Sequence, residues 1–190
     1  MSGPVVKICG VSSPEVARAA WRAGADYLGL VFAESRRQVS IDQAQEIVLR
    51  APGKYVAVFR NMQDLDRLGR VVEAVKPAAI QFHGLGPVGW VAWTRQQGML
   101  AVATYLATAD ADVWLLDGPQ PGSGLAWRWQ LPPSGGPYWL AGGLRPDNVA
   151  EAIARLQPDG VDVSSGVEQG GVKSVELIQR FIEEAKAWQR

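Results

Sequence analysis

Short runs of consecutive apolar residues recur along this chain, and most are separated by segments whose apolar residues return every three or four positions. Runs of the first kind predict strands buried on both faces; the second pattern predicts helices that bury one face. The strand runs are VVKIC (5–9), DYLGLVF (26–32), YVAVF (55–59), AAIQF (78–82), MLAVATY (99–105), DVWLLD (112–117), YWLAGG (138–143) and GVDVSSG (160–166), the last with its loop. The helical segments are 12–25, 40–50, 64–76, 87–97, 145–157 and 174–189. Ser13 and Pro14 suit the start of the first helix and Gly24 its end. Ser40 and Gln43 have capping-box spacing, Pro77 stops the third helix, and Pro146 starts the fifth. A small helical segment is expected after the fifth strand, and one helical turn at LAWRW (125–129).

Parallel strands need crossovers of this kind. Eight β/α units predict a closed (β/α)₈ barrel, an α/β fold, in one domain over residues 1–190. A doubly wound open sheet is the competing architecture. No GxGxxG or GxxxxGK[ST] follows the first strand, so nucleotide-binding folds have no motif here.

Composition narrows the class. The chain has 190 residues, 47% apolar and 20% charged, ordinary for a globular domain. Nineteen Lys and Arg balance nineteen Asp and Glu, which gives no reason to expect nucleic acid as a partner. No run approaches the length of a membrane span, and the N-terminus does not read as a secretory signal. A lone cysteine, Cys9, forms no internal disulfide, so a reducing, cytoplasmic setting is expected. One His and one Cys make a poor metal set, and neither metal nor cofactor is expected.

In such a barrel the chemistry sits at the C-terminal strand ends. That rule collects Lys7 and Cys9, Arg36 and Arg37, Arg60 and Asn61, Gln81 and His83, Asp117, Gly142 and Gly143, and Asp162, Ser164, Ser165 and Gly166. Each has a bland alternative. A free Cys is often a small buried hydrophobe, and a strand-end Asp often caps a turn. Arg36 and Arg37 read equally as a solvated pair or as an anion grip. His83 is a general base or, more ordinarily, a packed residue serving the backbone. The glycines of AGGLRPDNV and the small residues of DVSSGVE fall in consecutive units and suit a phosphate at exposed amides.

Taken in order, KICG (7–10), AGADYLGLVF (23–32), SRRQVS (35–40), AVF (57–59), IQFHG (80–84), LLDG (115–118) followed by GSG, LAGGLRPDNV (140–149) and DVSSGVEQGGVKS (162–174) resemble the phosphoribosylanthranilate isomerase family of tryptophan biosynthesis. The resemblance covers nearly the whole chain. It implies an Amadori rearrangement of a small phosphoribosyl substrate, N-(5-phosphoribosyl)anthranilate, by a cofactor-free monomer or homodimer. It places the general base on Cys9, the general acid on Asp117 and the anthranilate-carboxylate contact on Arg37. It places the phosphate grip on Gly142, Gly143, Ser164, Ser165 and Gly166; Lys7, His83 and Asp162, at the same strand ends, are candidates for a supporting role. Positive charge near Cys9, from Lys7 above all, is expected to favour its thiolate. The chain departs from the family pattern at LAVATY (100–105), which lacks a lysine, at GSGLAWRW after the sixth strand, and at Gln38. Trp127 or Trp129 is a candidate cover for the substrate ring. Two other readings are a non-catalytic phosphosugar-binding barrel and an isomerase that also serves the histidine pathway.

Overall fold

The computed structural model describes residues 3–104, 110–117 and 136–187. Eight parallel strands close into a barrel in chain order: β1 (Val5–Cys9), β2 (Tyr27–Val31), β3 (Tyr55–Arg60), β4 (Ala79–His83), β5 (Leu100–Thr104), β6 (Val113–Asp117), β7 (Tyr138–Ala141) and β8 (Gly160–Val163). The closing seam pairs Val5 with Gly160 and Lys7 with Asp162. Around it stand α1 (Pro14–Ala23), α2 (Ile41–Arg50), α3 (Leu65–Val75), α4 (Trp90–Gln96), α5 (Val149–Leu156) and α6 (Val175–Ala187).

The helix boundaries follow local chemistry. Ser13 accepts a bond from the Val16 amide at 3.3 Å, and Gly24 closes α1 in a left-handed conformation. Ser40 likewise accepts from the Gln43 amide at 3.1 Å, but the Gln43 side chain donates to the Ser12 carbonyl instead of reaching back. The expected capping box is therefore half formed. Two helices begin later than expected. α4 starts at Trp90, after Gly89 at φ 76°, and α5 starts at Val149 instead of Pro146. The delay in α5 has a cause: Asn148 folds 145–148 into a turn, accepting from the Arg145 amide at 2.7 Å and donating to the Gly143 carbonyl at 3.1 Å. The small helical segment after β5 and the turn at 125–129, with Trp127 and Trp129, lie outside the described residues.

Alternation along each strand sorts the apolar residues into two shells. Outward-facing Leu28, Leu30, Phe59, Ile80 and Phe82 pack with Ala17, Ile47, Leu68, Ile178 and Phe181 of the helices. Phe32, Phe59 and Phe82 form a stack, with ring centroids 5.6 and 5.3 Å apart. Inward-facing Val31, Val56, Val58, Val102, Leu115 and Trp139 fill the lumen. Gly160 makes room for Trp139, since a Cβ there would come within 2.7 Å of the indole nitrogen. Three polar side chains, Lys7, Gln81 and Asp162, are also buried on the inner face of the barrel.

Candidate active site

The inward positions at the C-terminal ends of seven strands open onto one cavity of about 510 Å³: Cys9, Val31, Arg60, His83, Thr104, Asp117 and, just past β8, Ser164. Arg37 and Asn61 complete its wall. A second lobe of about 150 Å³ shares Cys9, His83, Asp117 and Ser164, and extends to Gly142, Gly143, Asp162, Ser165 and Gly166. Residues spread over more than 150 positions of sequence thus meet at one mouth, because parallel strands all end at the same rim.

Cys9 ends β1 beside Gly29 of β2, and a Cβ at Gly29 would sit 2.8 Å from the Cys9 Sγ. Beneath it, Lys7 Nζ lies 2.7 Å from Asp162 Oδ2, with side chains 0% and 6% exposed. The other oxygen, Asp162 Oδ1, is buried without a hydrogen-bond partner among the described residues. Burial pushes the Cys9 thiol up, and the neighbouring ammoniums of Lys7 and Lys173 pull against it without reversing it. Positive charge from Lys7 and Lys173 favours the thiolate as expected, while burial works against it. Burial also opposes charge on Lys7, but Asp162 and Cys9 together outweigh it and hold the ammonium's pKa above its ordinary value.

Asp117 is raised by burial and then by the negative charge of Asp162. His83 is lowered by burial and by Lys7, so the neutral ring is favoured; the Gln81 amide lies 2.7 Å from its Nε2. His83 therefore both bonds a lumen residue and lines both lobes.

The two glycines after β7 are left-handed, at φ 75° and 67°. A Cβ on Gly166 would collide with the Leu144 carbonyl oxygen, so that glycine lets the loops after β7 and β8 touch. Ser164 Oγ donates to the Cys9 carbonyl at 3.1 Å and ties the β8 loop to β1.

Arg37 is not an open guanidinium. Its Nε and Nη2 fork onto Glu168 at 2.6 and 2.9 Å, and Arg36 donates to the same carboxylate at 2.6 Å. Glu168 belongs to a hairpin that sequence reading missed, β9 (Glu168–Gln169) and β10 (Val172–Lys173), which follows a 3₁₀ turn at Ser165–Val167. Its signal was present: Gly170 and Gly171, at φ 61° and 85°, form the two-residue link that a tight hairpin requires. Lys173 stands opposite Glu168 and donates to it at 2.7 Å and to the Ser164 carbonyl at 2.9 Å. Bonds from Arg37 and Lys173 overcome burial and hold the Glu168 carboxyl down at about 2.

A family model for N-(5'-phosphoribosyl)anthranilate (PRA) isomerase matches residues 6–184. An N-(5'-phosphoribosyl)anthranilate isomerase of Streptococcus mutans is 41% identical over 191 aligned positions, covering 95% of this chain and 98% of that protein. The crystal structure of the phosphoribosyl anthranilate isomerase of Thermus thermophilus superposes with a TM-score of 0.80 at 33% identity, covering 95% of this chain and 97% of the other. A phosphoribosyl anthranilate isomerase in complex with reduced 1-(o-carboxyphenylamino)-1-deoxyribulose 5-phosphate superposes with a TM-score of 0.74 at 27% identity, covering 97% of this chain and all of the other. Sequence and barrel together, over nearly their whole length, show that this chain belongs to the phosphoribosylanthranilate isomerase family.

Proposed function

We propose that this protein converts N-(5-phosphoribosyl)anthranilate to 1-(2-carboxyphenylamino)-1-deoxyribulose 5-phosphate, with Asp117 as general acid and Cys9 as general base. The supporting observation is that these two side chains, 108 positions apart in the chain, line both lobes of one cavity.

Two of the reaction's proton transfers fall to this acid–base pair. The anilino nitrogen's lone pair drives out the furanose oxygen; the C1–O bond breaks as Asp117 delivers a proton to that oxygen. The C4 hydroxyl is released and a C1=N⁺ iminium remains. Cys9 thiolate then takes the proton from C2, and the electrons flow into the C1–C2 bond to neutralise the nitrogen. The enolamine gains a proton at C1, loses one from its C2 hydroxyl, and becomes the ketone.

The surroundings suit that division. The carboxyl's raised pKa keeps an acid available. Burial works against the Cys9 thiolate that the step requires, Lys7 and Lys173 favour it, and the iminium formed in the first step adds a third positive charge beside it. The base therefore strengthens its charged form once the ring has opened.

The larger lobe takes the anthranilate ring and sugar, with Arg37 on the carboxylate. The smaller lobe takes the phosphate on the backbone of Gly142–Gly143 and Ser164–Gly166, a grip by amides and short side chains. No helix among the described residues is long and apolar enough to cross a membrane. We assign the reaction to the cytoplasm on the biosynthetic family to which the chain belongs. Loss of the substrate's fluorescence on adding the pure protein tests the assignment. Turnover abolished in both Cys9→Ala and Asp117→Asn is expected; a wild-type protein without turnover overturns it.

A further inference from the structure

Glu168 touches no residue of the acid–base pair, yet it sits where the two ends of the cavity meet. One of its faces holds Arg37, at the rim of the larger lobe. The other holds Lys173, whose ammonium runs on to the Ser164 carbonyl in the smaller lobe. We infer that Glu168 is the positioning residue of substrate binding, aiming Arg37 at the anthranilate carboxylate and tying that aim to the phosphate loop. This rests on the isomerase reading above, and extends it to a residue outside the cavity wall.

The geometry of the fork carries the argument. A guanidinium offers two edges that suit a carboxylate: Nε with one terminal nitrogen, and the pair of terminal nitrogens. Glu168 occupies the first edge through Nε and Nη2. The second edge, Nη1 with the remaining Nη2 hydrogen, is left for another carboxylate. Occupation of one edge fixes the plane of the group and therefore the direction of the other. An arginine without that fork would swing about four side-chain torsions and lose that entropy on binding.

The stem is fixed as well. Gly10 is left-handed at φ 78°, and a Cβ there would come within 2.5 Å of the Arg37 Cδ. The side chain therefore runs close over the backbone just past Cys9, held at its root by Gly10 and at its head by Glu168. The Glu168 side chain is only 4% exposed, against 23% for Arg37, so the carboxylate end of the fork is shielded from water. Charge balance points the same way. Arg36, Arg37 and Lys173 share this one carboxylate, which leaves two positive charges over for an anionic substrate.

The experiment measures the Kd of the reduced analogue 1-(o-carboxyphenylamino)-1-deoxyribulose 5-phosphate by calorimetry, beside kcat and KM. The proteins are wild type, Glu168→Gln, Glu168→Asp, Arg37→Ala and the double variant Glu168→Gln/Arg37→Ala. Glu168→Gln is expected to weaken analogue binding and raise KM by about tenfold to a hundredfold, with kcat changed by less than about threefold. Glu168→Asp, which keeps the charge, recovers part of that loss. In the Arg37→Ala background the Gln substitution adds less than about twofold, because the group it aims is gone. Equal losses with and without Arg37, or unchanged binding in Glu168→Gln, overturn the inference. So does a Glu168→Gln protein that fails to fold where Arg37→Ala folds, which makes Glu168 a stability residue. A wild type that binds the analogue with this Glu168 dependence but does not turn over removes the isomerase reading and keeps the positioning role. A wild type that does not bind the analogue removes both.

Discussion

Lys7 Nζ lies 2.7 Å from Asp162 Oδ2 across the seam that closes the barrel, and neither side chain is more than 6% exposed. Two charges so enclosed lose their hydration, and breaking such a pair leaves one of them uncompensated. Lys7→Met is expected to destabilise the protein by about 3–5 kcal/mol. Adding Asp162→Leu should restore much of that loss, since both charges are then gone. Denaturant titration of the three proteins checks it; a double variant no more stable than Lys7→Met would refute the pairing argument.

The same lysine acts on Cys9. Its positive charge opposes the upward push of burial on the thiol, so its removal lets the thiol's pKa rise further. The pH at which Cys9 becomes reactive toward iodoacetamide is therefore expected to move upward in Lys7→Met, and the alkaline requirement for kcat/KM with it. An unmoved alkylation profile would separate Lys7 from the base.

Cys9→Ala and Asp117→Asn should each lose about 10²–10⁴-fold in kcat, the usual worth of one positioned proton transfer. Both should fold with melting behaviour close to wild type, because the two side chains line the cavity and each substitution is small. Steady-state turnover of the folded variants is the measurement, and near-normal kcat in either one removes it from the mechanism.

Gly29 carries a prediction of its own. A methyl group placed there would meet Sγ of Cys9 at 2.8 Å and the Cys9 Cα at 3.1 Å. Backbone cannot yield as a flexible side chain does, so the thiol must move. Gly29→Ala is expected to lower kcat by about tenfold to a hundredfold, with phosphate affinity intact. Binding of inorganic phosphate beside turnover distinguishes this from a general loss of the site.

Glu168 links stability to acid. Its carboxyl is held at about 2, below its ordinary 4.5. A depressed carboxyl contributes stability that is complete above the unfolded value and drains as pH falls from about 4.5 toward about 2. The gap in melting temperature between wild type and Glu168→Gln should therefore shrink across that window. A gap that stays constant from pH 7 to pH 2.5 would show that the ion pairs contribute nothing on balance.

Much of this site was legible in the chain because barrel topology turns sequence position into spatial position. Once eight β/α units are counted, strand-end residues such as Cys9, His83 and Asp117 must share one rim. What was missed came from interactions without a period. Glu168 was not singled out, although Gly170–Gly171 beside it marked a hairpin. Lys173 gave no sign that it reaches Ser164. The delayed start of α5 depended on Asn148, whose bonds to Arg145 and Gly143 compete with the helix that Pro146 suggested.

By itself, then, the sequence determined the repeating units, the strand ends and the family, because hydrophobic periodicity and turn chemistry are local properties of the chain. The tertiary structure alone decided which face of each uniformly apolar strand looks inward, since a strand buried on both sides carries no alternation to read. It also decided the electrical state of the site. Burial raises the Cys9 thiol, Lys7 is paired with Asp162, and Arg37 is already held by Glu168. Those facts depend on desolvation and on distances across the barrel, and neither exists until the eighth strand closes on the first.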